Sequence, residues 1–117
     1  MTDDRQRLCD ILDAITQIER YAKRGRHAFE EDELIHTWVI HHIQVIGEAA
    51  SKLTASFRKN HGDIPWLQII KMRHVLVHDY FGIDLAEVWT AVERDLPLLK
   101  KQMTALIKKF PRQTRQG

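Results

Sequence analysis

From Ile35 to Leu53 the residues Ile35, Trp38, Val39, His42, Ile43, Ile46, Ala49, Ala50 and Leu53 recur at the three-and-four spacing of one helical face. A run this long predicts a single long helix, because strand side chains would alternate faces at every residue. Gly47 lies inside it. Glycine in a helix interior costs about 1 kcal/mol relative to alanine, so its presence predicts a second helix passing close at that point.

The same period continues through the rest of the chain. Leu8, Ile11, Leu12, Ile15, Ile18 and Ala22 mark an earlier helix that starts at Asp3 or Asp4 and stops at Gly25, followed by a short polar connection through Arg26 and His27. Asn60, His61, Gly62 and Asp63 form a turn, and Pro65 suits the first turn of the next helix, where its missing donor costs nothing. That helix is expected from Pro65 to Tyr80, with Trp66, Ile69, Ile70, Met72, Leu76 and Val77 as its apolar content and Gly82 as its end. Asp84 with Glu87 three residues later has the form of a capping box ahead of Leu85, Val88, Trp89, Val92 and Leu96. Asp95, Leu96 and Pro97 restart the chain as a fifth segment or a kinked continuation that carries Leu99, Met103, Leu106, Ile107 and Phe110 and closes at Pro111. No segment has a strand period, a repeat or low complexity. The expected fold is therefore an all-α, up-and-down bundle of four to five helices over residues 1–110, with a basic, disordered tail over 111–117.

Charge and cysteine content narrow the function. Lys and Arg number 18 against 16 Asp and Glu, a formal net charge of +2, too near neutral for a protein that holds nucleic acid by bulk charge. The basic residues are unevenly placed. Lys100, Lys101, Lys108, Lys109, Arg112 and Arg115 meet no acidic residue from Lys100 onward, so this end can touch phosphates or simply complement its own helix dipole. Cys9 is the only cysteine, which excludes an internal disulfide, and its apolar neighbours mark it as a core residue. No apolar run reaches membrane-spanning length and no signal peptide is read at the start, so a cytoplasmic protein with no membrane partner is expected. At 117 residues the chain is small for covering its own core, and a partner subunit would help.

Three groups that are costly to bury stand in an apolar stretch: Arg73, then His78 after four residues, then Tyr80. On a straight helix Arg73 and Tyr80 share a face, about 20° apart and roughly 10 Å along the axis, whereas His78 lies about 140° around from Arg73. Two antiparallel copies across a dimer axis can supply each other's missing group. Each residue also has a plainer role: Arg73 as an ion-paired arginine with Glu48 as a candidate partner, His78 as a hydrogen-bonded core histidine, and Tyr80 with its ring buried and its hydroxyl wet. His74 and His78 are one turn apart and can clamp Zn²⁺, with His41 and His42 adding to the histidine content. No adjacent glutamate or third ligand is in register, so no catalytic metal is expected.

The Arg-x4-His-x-Tyr pattern of Arg73, His78 and Tyr80 resembles the HEPN superfamily of RNA-cutting domains, in the form of its HepT-like branch. Gly47-Glu48-Ala49, Pro65-Trp66, Val88-Trp89 and Asp95-Leu96-Pro97 stand around it in family order, so the likeness covers roughly residues 5 to 110. The resemblance implies the toxin of a toxin-antitoxin pair: a homodimer with composite clefts that cuts RNA through its own 2′-hydroxyl, without metal or cofactor. In that reading Arg73 binds the scissile phosphate and His78 is the general base or acid, while Tyr80 is adenylylated by a nucleotidyltransferase antitoxin. His74 stands where the family usually carries Asn or another polar residue, and this departure leaves an accessory role open. The alternative within the superfamily is a non-catalytic helical subunit that binds nucleotide or a nucleotidyltransferase partner.

Overall fold

The computed structural model describes residues 3–78 and 84–110, the side chains of 74–78 excepted. In chain order α1 is Asp4–Ala22, α2 Arg26–Glu31, α3 Glu33–Ser51, α4 Ala55–Asn60 and α5 Trp66–His78. Beyond the segment 79–83 come α6 (Leu85–Thr90), a π-helical turn (Ala91–Asp95) and α7 (Leu96–Lys109). Every regular element among the described residues is helical, so the expected all-α bundle is what forms.

Helices α1 and α3 make the central pair. They run antiparallel, because Asp4 at the start of α1 meets Thr54 just beyond α3, while Gln17 and Tyr21 near the end of α1 meet Trp38 near the start of α3. Leu8, Ile11, Ile15 and Ile18 from α1 and Val39, Ile43 and Ile46 from α3 close this interface with essentially no exposure. Such fully buried aliphatic side chains each contribute about 1.5–3 kcal/mol. Helix α5 covers α3, and α7 covers α1 with Met103 sealed beneath it.

The structure corrects the reading of the two connections. Arg26 and His27, expected in a polar link, open α2, and Phe29 of that short helix is fully buried against Trp89 and His36. Gly25 makes the entry possible with a φ of 94°, a region other residues seldom adopt. The long middle helix stops at Ser51 instead of running through Leu53, and Thr54 starts α4 by accepting from the Phe57 N–H. Asp4 anchors that point. Its carboxylate accepts from the Thr54 backbone N–H and from the Thr54 hydroxyl, both at 2.8 Å, and is the one buried charged side chain among the described residues.

The last two segments join without a break. Asp84 caps α6 by accepting from the N–H groups of Ala86 and Glu87, as its spacing with Glu87 predicts. Across Ala91–Asp95 the helix widens by one residue, so that the Leu96 N–H reaches the Ala91 carbonyl. Pro97 explains the widening: its ring clashes with the carbonyl four residues back and brings no N–H to bond it. The expected restart is thus a π turn inside one rod. Residues 111–117, expected to be a disordered tail, lie outside the described residues.

Candidate functional site at the α3 and α5 crossing

Gly47 sets how close α5 comes to α3. Its missing side chain lets the Arg73 Cβ and backbone nitrogen and the Ile69 carbonyl settle directly on the α3 backbone. Trp66 and Ile69 are buried on the same helix, so the early turns of α5 are firmly seated. Arg73 then leaves α5 at the edge of this contact.

Its guanidinium Nη1 donates to the Glu48 carboxylate Oε2 at 2.7 Å and to the Ser51 hydroxyl at 3.0 Å. Ser51 in turn donates to the Glu48 carbonyl at 2.6 Å. These three residues form one chain of charge-assisted hydrogen bonds at the C-terminal end of α3, where the helix dipole also favours a cation. The Arg73 side chain is 28% exposed and Glu48 54% exposed, so the pair lies at the surface and is screened by water. Such a pair adds little to stability. What it fixes is the plane and direction of the guanidinium.

A groove of about 390 Å³ between α1 and α3 reaches the other side of Glu48 and is lined by Arg7, Asp10, Gln17 and His42 among others. His42 keeps the place in the helical series that the spacing assigns it, with its ring against Trp38 at 4.4 Å and Nδ1 2.8 Å from the Trp38 carbonyl. If Nδ1 carries the proton of that bond, Nε2 is an acceptor. Cys9 is half-buried beside Arg5, not fully in the core as expected.

Of the residues expected to carry chemistry, Arg73 is placed with its partners. His78 is the last residue of α5 and His74 lies within it, but both side chains lie outside the described residues, as does Tyr80 entirely. Because α5 is helical from Trp66 through His78, its backbone keeps Arg73 and His78 about 140° apart. The Arg73–Glu48 pair was foreseeable from charge alone. Ser51 was not, and the only signal for it was its position one turn after Glu48.

Fold and site together define an all-helical domain with an anchored arginine where two long helices cross. The family described as "Ribonuclease HepT-like" matches over residues 11–106. A Thermococcus cleftensis protein named "Probable ribonuclease HepT" is 35% identical over 102 residues, covering 85% of this chain and 91% of its own. A Methanocaldococcus jannaschii protein named as a "Putative RNase" is 32% identical over 97 residues, 82% of this chain and 89% of its own. A second protein of that organism, named as a gamma-glutamylcyclotransferase and "putative RNase", is 35% identical over 101 residues, and there the match spans only 46% of the relative. No solved structure matches the chain significantly. The chain belongs to the HepT-like ribonuclease family.

Among the described residues no helix is long and apolar enough to cross a membrane.

Proposed function

We propose that this chain is a metal-independent endoribonuclease that works as a homodimer, and that it is the toxin of a pair whose antitoxin is a nucleotidyltransferase. The observation that carries this reading is the Arg73 guanidinium held by Glu48 and Ser51 at a surface crossing, in a chain of the HepT-like family. Holding Nη1 restricts the guanidinium plane, so less freedom is lost when a phosphate binds. Arg73 offsets the charge that builds on the phosphate oxygens as the bond order at phosphorus changes.

The reaction is an in-line displacement within the RNA. The 2′-hydroxyl oxygen attacks the adjacent phosphorus, and the bond to the 5′-oxygen breaks. A base takes the 2′-hydroxyl proton and an acid supplies one to the departing oxygen, leaving a cyclic phosphate and a 5′-hydroxyl. His78 serves in one of these roles, since an imidazole can both take up and give up a proton near neutral pH. Since position 78 lies about 140° around α5 from position 73 by register, the cleft combines Arg73 of one copy with His78 of the other. No cofactor takes part, and the protein acts in the cytoplasm.

The Arg73–Glu48 ion pair at 2.7 Å also fits a second reading, a non-catalytic subunit in which Arg73 is structural. Purified protein incubated with RNA in EDTA separates the two. Cleavage that leaves a cyclic or 3′-phosphate end, lost in Arg73→Ala and His78→Ala with melting temperature nearly unchanged, supports the nuclease. Full activity in both variants, activity lost on EDTA treatment, or a monomer at micromolar concentration in sedimentation overturns it. The pH profile assigns His78: a limb that rises with pH and is lost in the His78 variant marks the base, and a falling limb lost in it marks the acid.

A further inference from the structure

The basic residues toward the C-terminal end leave a feature that the Arg73 site does not use. Along the outward face of α7, with Glu19 of α1 at its edge, an open groove of about 620 Å³ is lined by Glu19, Lys100, Lys101, Thr104, Ala105 and Lys108 among others. Its one carboxylate is already engaged, because Glu19 accepts from the Lys100 ammonium at 2.9 and 3.2 Å. Among the described residues neither Lys101 nor Lys108 has an acidic partner within salt-bridge distance, and both are exposed. They are seven residues apart, so they project from one face of α7 about 10 Å apart along its axis.

Helix-end electrostatics accounts for only part of this pattern. Lys108 and Lys109 lie in the last turn, where cations complement the dipole, but Lys100 and Lys101 stand in the first half of Leu96–Lys109. Between Lys101 and Lys108 the groove is lined by Thr104 and Ala105, both small side chains. A protein partner would need a buried apolar or aromatic anchor, and the groove offers none larger than Pro97. A flexible polyanion needs only spaced cations over an open floor.

We infer that the outward face of α7 binds a stretch of single-stranded RNA backbone, with phosphates on Lys101 and Lys108, apart from the Arg73 site. It holds the substrate strand without reading its sequence. The inference rests on the proposal that RNA is the substrate, and it adds an anchoring surface to which neither Arg73 nor α5 contributes.

The test is binding, measured apart from cleavage. A fluorescein-labelled single-stranded RNA of about 16 nucleotides is titrated in EDTA against full-length protein carrying Arg73→Ala, so that the strand stays intact. Adding Lys101→Gln and Lys108→Gln should lower affinity about tenfold and reduce the slope of log K against log salt by about 1.4, two contacts at about 0.7 each. Lys23→Gln with Lys59→Gln, both exposed, changes net charge equally and should have a smaller effect. Unchanged affinity in the groove variant, or an equal loss in the control variant, overturns the inference. Tighter binding of a polyglutamate peptide than of RNA also overturns it, in favour of an acidic protein partner. Failure of wild-type protein to cut RNA would remove the nuclease proposal, while lysine-dependent binding would still stand.

Discussion

Gly47 and Arg73 stand so close that a Cβ at position 47 would lie 2.9 Å from the Arg73 Cβ and 3.1 Å from its backbone nitrogen. Neither atom is the loose end of a side chain. To admit a methyl group, α5 itself would have to move, carrying Arg73 with it.

Gly47→Ala therefore tests whether helix spacing sets the site. Alanine would gain about 1 kcal/mol of helix propensity, but overpacking costs about 1–3 kcal/mol, so a small net destabilisation is expected. The larger effect should be on RNA cleavage, because a displacement of about 1 Å can cost on the order of a hundredfold in rate. Wild-type activity in a folded Gly47→Ala protein would show that the crossing distance does not matter to the site.

Glu48→Gln keeps an acceptor for Arg73 and removes its charge. The pair is largely solvated, so stability should change by less than about 1 kcal/mol. If Glu48 positions Arg73 for phosphate, kcat should fall more than KM rises, and Ser51→Ala should act in the same direction. A change confined to melting temperature would mark both residues as structural.

Asp4→Ala removes two hydrogen bonds to Thr54 across fifty positions of chain. The half-buried Thr54 N–H and hydroxyl would lose their acceptor at a cost of about 1 kcal/mol, measurable as a lower urea midpoint with unchanged slope. RNA cleavage at a temperature where the variant is fully folded should stay at the wild-type level. An unchanged midpoint would show that the contact contributes nothing net.

Tyr80, two residues beyond His78, is proposed as the point of control. An adenylyl group there would add a phosphate and bulk that compete with RNA for Arg73. Incubation with the partner nucleotidyltransferase and ATP should give a mass gain in the intact protein and a loss of cleavage, both absent in Tyr80→Phe. Unmodified protein that the partner still inhibits would mean restraint by binding alone.

The sequence by itself determined the elements whose causes are local. The period through Leu8 to Ile18 and Ile35 to Ala50 and the Asp84 cap depend on residues within a few positions of one another, and each is where the pattern predicts it, whereas α1 ends at Ala22 and Gly25 opens α2 instead of stopping α1. Gly47 also announced a close helix, because a glycine there has no local justification. Only the tertiary structure decided the rest. Arg26–Glu31 is helical because Phe29 has a core beside Trp89 to enter, and a hexapeptide has too few turns to be stable without one. Asp4 turned from a helix-start signal into a clamp on Thr54, and Arg73 acquired Ser51 as well as Glu48, through contacts between positions that are neighbours only after the helices pack. Periodicity records which face of a helix is buried; which side chain waits on the opposite surface depends on the rotation and spacing of both helices, and at this site Gly47 sets that spacing.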